Sequence, residues 1–217
     1  MKRNLVKEWA RYILGLIIFS FGVHCTIRAN IGLAPWDCLG MGISYHTPLN
    51  YGLSMTAVSV AVLIIDLLMH ERIGFGTVFD AVLTGNFTQF YNDFSPVPVC
   101  QSLWLGILVM VAGMFLMAVG QFFCMSSAQC CGPRDSLLLG LGRRLSRIPV
   151  GIVEVLLWAA VLLAGWLLGG PVGIGTVIST FGCGFAMTLV FRWLRFEPRN
   201  IQHTDVLQSL RILADKS

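Results

Sequence analysis

Apolar residues gather along this chain into six long runs, roughly 9–28, 51–69, 75–91, 102–124, 150–168 and 175–194. A helix rising 1.5 Å per residue needs about 20 apolar residues to cross a bilayer core. Each run therefore predicts a spanning helix, with 75–91 at the lower limit of length. Two further apolar stretches, Pro35 to Ile43 and Pro133 to Leu141, are only about half as long as a crossing requires. Each begins with proline, whose missing N–H costs nothing in a first helical turn, and has aspartate two residues later, where a carboxylate suits the helix dipole. Both predict short helices, either interfacial or re-entrant.

Composition agrees with the bilayer as solvent. Of 217 residues, 56% are hydrophobic and 12% charged, and mean hydropathy is +0.75, whereas a soluble domain carries roughly 25% charged residues. Six crossings would use roughly 120 residues and leave short connections, with no room for a soluble domain.

The net charge of +4 is clustered. Lys2, Arg3, Lys7 and Arg11 precede or open the first run, and Arg192, Arg195, Arg199, Arg211 and Lys216 follow or close the last. Six crossings from a cytoplasmic amino terminus place His70-Glu71-Arg72, the group Arg134, Arg143, Arg144 and Arg147, and the basic tail on one side. Asn92 to Gln101 and Gly169 to Gly173 fall on the other, without lysine or arginine, as the positive-inside rule requires. Arg28 is the exception. The basic clusters thus read as orientation signals and not as a nucleic-acid surface. No A-x-A-like cleavage site follows the first run, so it is expected to remain as a helix. The seven cysteines form no CxxC pair and have no histidine at metal-ligand spacing; free thiols, no metal and no cofactor are expected.

The second half repeats the first. At an offset of 98, Gly15 falls on Gly113, Gly22 on Gly120, Pro35 on Pro133, Asp37 on Asp135 and Gly42 on Gly140. After a one-residue shift, Gly52 meets Gly151, and Gly74-Phe75-Gly76-Thr77-Val78 meets Gly173-Ile174-Gly175-Thr176-Val177. Glycine is common here, so the ordered P-x-D and G-x-G-T-V matches carry the argument. Each unit reads as long helix, short Pro-capped helix, second span, G-x-G-T turn and third span. Three crossings are an odd number, so the second unit enters from the opposite side, which is inverted-repeat architecture. The expected fold is an all-α membrane protein of about six transmembrane helices in two inverted three-helix repeats, 1–96 and 97–196, followed by a basic cytoplasmic tail, 197–217.

Interrupted helices in inverted repeats point to a transport site, because a half-helix start offers free N–H groups and a positive dipole end. Asp37 and Asp135 either cap their own helices or, if those helices dip inward, contact a solute or ion. Trp36 and Arg134 occupy corresponding positions beside them. Arg28 and Arg134 can pair with these aspartates, bind an anionic group, or snorkel to phosphates. Asp66, Asp80 and Glu154 sit inside apolar runs, where an ionisable group costs at least about 2.5 kcal/mol at the helix centre and is a functional candidate by default. All three lie near the cytoplasmic ends, where ion pairing with His70, Arg72 or Arg147 competes with a site role. Glu154 has the best claim, since the first unit has Met55 there. His24, Asn86, Gln89 and Gln121 are expected mainly as interhelical contacts worth about 0.6 kcal/mol each. Gly15 and Gly22, like Gly113 and Gly120, are seven apart on one face and predict close helix approach. The G-x-G-T residues Gly74, Gly76, Thr77, Gly173, Gly175 and Thr176 read as structural. No nucleophile constellation, HExxH or P-loop occurs, so an enzyme is not expected.

The stretch Ile27-Arg28-Ala29-Asn30-Ile31-Gly32-Leu33-Ala34-Pro35-Trp36-Asp37, with Gly74-x-Gly76-Thr77, resembles the YczE/YyaS/YitT group of bacterial inner-membrane proteins over roughly residues 8–194. The resemblance implies a polytopic protein of the bacterial cytoplasmic membrane and supplies no substrate. In the second half Trp36 becomes Arg134 and Ile31-Gly32-Leu33 becomes Gln129-Cys130-Cys131, so a site would not be symmetric. The leading expectation is a transporter or permease for a small solute, with the bilayer and a homo-oligomer as candidate partners. The rivals are a membrane scaffold or regulator of a partner complex, and a lipid-acting enzyme.

Overall fold

The computed structural model describes residues 5–71, 74–127, 132–145 and 147–196. Lys2, Arg3, Arg72, the Gln129-Cys130-Cys131 stretch and the tail 197–217 lie outside the described residues. Eight helices follow in order: α1 (Leu5–Arg28), α2 (Pro35–His46), α3 (Tyr51–Leu68), α4 (Phe75–Phe94), α5 (Leu103–Ser126), α6 (Pro133–Arg144), α7 (Val150–Leu167) and α8 (Ile174–Trp193). No strand occurs among the described residues.

The short helices are longer than the sequence pattern suggests, 12 residues each, ending at His46 and Arg144. Both have proline in the first turn and no side-chain cap. Side chains cap α3 and α5 instead: Asn50 accepts from the Leu53 N–H at 2.9 Å and Ser102 from the Leu105 N–H at 3.3 Å. At the G-x-G-T turns the hydroxyl of Thr77 accepts from the Gly74 N–H at 3.4 Å, and that of Thr176 from the Gly173 N–H at 3.2 Å.

Five helices, α1, α3, α5, α7 and α8, are both long and apolar enough to cross a membrane. With 20 residues α4 has the length, but Thr77, Asp80, Thr84, Asn86, Thr88 and Gln89 leave it more polar than the others. Large apolar side chains face outward, among them Trp104, Leu108, Val155, Leu167, Phe181 and Phe185, all more than half exposed. Such a surface is at home in lipid and not in water.

The helices α1 and α5 cross at the centre of the bundle. Gly15 lies against Gly120 and Gly22 against Gly113, so the two helices run antiparallel with their backbones in contact. A Cβ at Gly22 would stand 2.7 Å from the Gly113 carbonyl oxygen. Without a hydrophobic drive inside lipid, such close packing of small residues is what holds helices together. On the flanks, α4 packs on α1 and α8 on α5, while α2 lies against α7 and α3, and α6 against α3 and α7. Each short helix thus reaches over to the other half of the chain.

The two halves differ most at one helix pair. Helices α3 and α4 meet through Gly52 and Gly85, where a Cβ on either would come within 2.7 Å of the other's carbonyl oxygen. Their counterparts 99 positions later, Gly151 and Gly184, have nothing within 4 Å of an added Cβ, and α7 scarcely touches α8.

Candidate functional site

A cavity of about 490 Å³ occupies the bundle centre. On α1 its wall runs from Tyr12 through Leu16 and Phe19 to Val23, about 16 Å at 1.5 Å per residue, and so straddles the midpoint of that crossing. The first turns of α2 and α6 both open onto it. Trp36 and Asp37 come from one, Arg134 and Asp135 from the other, and the Arg134 guanidinium carbon lies 5.2 Å from the centre of the Trp36 ring. The two half-helix starts therefore face one another across a shared space.

Most of the wall comes in corresponding pairs. Phe19 and Met117, and Val23 and Gln121, line it at the offset of 98. Met55 and Glu154, Ser59 and Trp158, Asp80 and Ser179, Thr84 and Cys183, Gly85 and Gly184, and Thr88 and Met187 line it at 99. Positions are shared between the halves, but apart from Asp37 and Asp135 the charges are not.

Six sequence candidates thus converge on the cavity: Trp36, Asp37, Asp80, Arg134, Asp135 and Glu154. Asp37 is buried and accepts a 3.0 Å hydrogen bond from the Tyr51 hydroxyl. Asp80 accepts from Thr84 at 2.7 Å, and a Cβ on Gly132 would lie 2.7 Å from its Oδ2. A glycine just before Pro133 therefore lets the start of α6 sit beside Asp80. Pairing of Asp80 with His70, or of Glu154 with Arg147, is not among the ion pairs of the described residues, where Arg143 meets Glu71 at 3.0 Å.

Two candidates lie elsewhere. Arg28 does not pair with Asp37. It donates to the Asn92 carbonyl at 2.8 Å and to the Ser95 hydroxyl, while its own carbonyl accepts from the Cys100 N–H, so it ties the end of α1 to the α4–α5 connection. A second cavity of about 480 Å³ opens there beside Asn30 and Tyr45. Asp66 is fully buried in α3, and neither of its carboxylate oxygens has a hydrogen-bond partner among the described residues.

The uncharged polar groups divide. The Nδ1 of His24 and the Asn92 side chain are 2.7 Å apart, Gln89 accepts from the Gly52 N–H at 3.1 Å, and Asn86 reaches Thr56 at 3.5 Å, all interhelical as expected. Gln121 instead lines the cavity. Among the described residues no cluster could hold a metal ion. Tyr51, Trp158 and the hydroxyls of Ser59 and Thr84 were not expected in the wall. The offset that pairs Met55 with Glu154 also pairs Ser59 with Trp158 and Thr84 with Cys183, and it was the one signal able to reveal them, whereas Tyr51 falls on Val150, which is not in the wall.

An all-helical bundle with an outward apolar surface, five helices fit to span and a central cavity defines a multi-pass membrane protein. The chain belongs to the family described as "Family of unknown function (DUF6198)", whose model matches residues 6–192. It is 30% identical to the uncharacterized membrane protein YczE of Bacillus subtilis over 222 aligned residues, covering 100% of this chain and 98% of that protein. An uncharacterized protein of Haemophilus influenzae is 27% identical over 79% of this chain and 78% of its own length. The protein YyaS of Bacillus subtilis is 25% identical over 79% and 86% respectively. The YczE and YyaS resemblance is thereby established; the YitT limb is not carried by these matches. No solved structure matches the chain.

Proposed function

We propose that this protein is a transporter for a small solute in the bacterial cytoplasmic membrane, with six crossings in two inverted repeats and both termini in the cytoplasm. The sixth crossing is α4, whose 20 residues reach about 30 Å and whose Asp80, Thr84 and Thr88 line the cavity. The observation that carries the reading is the unequal state of two corresponding helix pairs. Gly52 and Gly85 hold α3 against α4, while Gly151 and Gly184 stand apart on α7 and α8. On the expected topology Gly52 opens α3 at the outer side and Gly151 opens α7 at the cytoplasmic side, so the cavity is shut outward and parted inward. Exchanging the two arrangements between the repeats converts one access state into the other, as inverted repeats permit. The solute passes unaltered, and the protein acts as a carrier and not as an enzyme.

Counterflow in proteoliposomes across a panel of small solutes tests the reading, with Gly184→Leu as the blocked control. The new side chain enters open space, so folding is retained, but α8 can no longer close on α7. Solute movement by the native protein and none by Gly184→Leu is expected. If the native protein moves nothing faster than empty liposomes, transport is refuted. The alternative, a scaffold that organises a partner complex, would then stand.

A further inference from the structure

We infer that the central cavity takes a small organic cation with an apolar body, such as an aromatic amine or a guanidinium compound; the inference rests on the transport reading for what the site is used for, but not for its binding chemistry. Four carboxyl groups, Asp37, Asp80, Asp135 and Glu154, look into the space, against the one guanidinium of Arg134. An anionic solute would add to an excess of like charge away from bulk water, whereas a cation offsets it.

The carboxyls do not converge on a point, and no metal-holding cluster forms among the described residues. They stand around a volume of about 490 Å³, within the range of roughly 300–1,000 Å³ usual for organic ligands. Between them stand the rings of Tyr12, Phe19, Trp36, Tyr51 and Trp158. Aromatic faces next to carboxylates are the chemistry that recognises an organic cation.

Arg134 already shows a cation on that surface. Its guanidinium sits over the Trp36 ring at 5.2 Å and makes no ion pair within 4.0 Å among the described residues. The chain's own cation thus sits on the aromatic seat, and an incoming cation displaces it.

The test is equilibrium binding by the full-length protein in neutral detergent, read by thermal shift and tryptophan fluorescence. Benzylamine, benzyltrimethylammonium and agmatine serve as cations, with benzenesulfonate and benzyl alcohol as matched anion and neutral compound. The cations are expected to stabilise the protein at micromolar to millimolar concentration, and the other two are not. Asp135→Asn should weaken the cations about tenfold and Arg134→Gln should tighten them by a similar factor. Glu154→Gln, in the first turns of α7, repeats the charge test should Asp135→Asn fail to fold. Stabilisation by benzenesulfonate that is lost in Arg134→Gln overturns the inference, as does silence from all three cations. Cation binding without any solute movement in proteoliposomes would sink the transport reading and leave the cation site standing. Movement of anions alone would do the reverse.

Discussion

Alanine at Gly52 and, separately, at Gly151 applies one perturbation to corresponding residues of the two halves. Both glycines are the second residue of their helix, so the intrinsic gain in helix propensity, about 1 kcal/mol at most, is common to both and cancels in the comparison. The surroundings differ. At Gly52 the added Cβ would lie 2.6 Å from the Gln89 Cβ and 2.7 Å from the Gly85 carbonyl oxygen, whereas at Gly151 it meets nothing within 4 Å. Overpacking of that kind costs about 1–3 kcal/mol. It falls only on the conformation in which α3 and α4 are joined. A bias of that size changes a conformer ratio by roughly 5–150-fold. Two measurements read it: the melting temperature in detergent, and alkylation of Cys183, a cavity-lining thiol, by a water-soluble maleimide, followed by peptide mass. Gly52→Ala is expected to lower the melting temperature and to slow labelling of Cys183, because α7 and α8 close as α3 and α4 part. Gly151→Ala is expected to leave melting unchanged or raised and labelling at least as fast. If both variants melt and label alike, the two helix pairs are equivalent in solution and the gating argument is wrong.

The α1–α5 crossing gives a second expectation. Gly22→Ala places a Cβ 2.7 Å from the Gly113 carbonyl oxygen, and should cost about 1–3 kcal/mol, seen as early loss of the monodisperse peak on heating; an unshifted peak would mean that the crossing is loose. Tyr51→Phe removes the 3.0 Å hydrogen bond to Asp37 and should cost roughly 1–3 kcal/mol, because the buried acceptor is left without its donor; unchanged melting would show that water replaces the hydroxyl. Asp66→Leu exchanges a fully buried carboxyl, without a hydrogen-bond partner among the described residues, for an apolar group of similar size and should raise the melting temperature. A drop would mean that the carboxyl is held by a partner. Arg143→Gln, by contrast, breaks an ion pair whose arginine is 68% exposed, and should shift melting by less than about 1 kcal/mol; a larger effect would mark the Glu71 contact as structural.

Five helices fit to span and the two short helices were legible because the bilayer imposes one length and because proline followed by aspartate marks a helix start. The α1–α5 contact was legible too, since glycines seven apart leave one face bare. The placement of the α2 start was not legible. It depends on Gly32, held at φ +112° against Gly173, and on the 3.1 Å bond from the Leu33 N–H to the Pro171 carbonyl, both contacts between distant parts of the chain. Which of its two candidate roles Asp80 takes was not legible for a similar reason, because nothing local shows that α6 begins beside it. The asymmetry of the glycine pairs was illegible in principle, since the same residues in the same register occur in both halves and only their spacing in space differs.

A wall built from corresponding residues of two halves has a consequence for how its selectivity can change. In an assembly of two identical chains, every substitution would appear twice, and the chamber would present each group to its contents from both sides. Here the halves are fused. Arg134 can stand opposite Trp36, Glu154 opposite Met55 and Asp80 opposite Ser179. One side of the chamber can thus be rewritten while the other keeps its chemistry, so a molecule with two unlike ends can be held in a single orientation. On the proposed transport reading, exchange of the helix pairs needs the halves to match, and recognition needs them to differ. Fusion would then separate the two demands, assigning the first to glycines that recur and the second to side chains that do not.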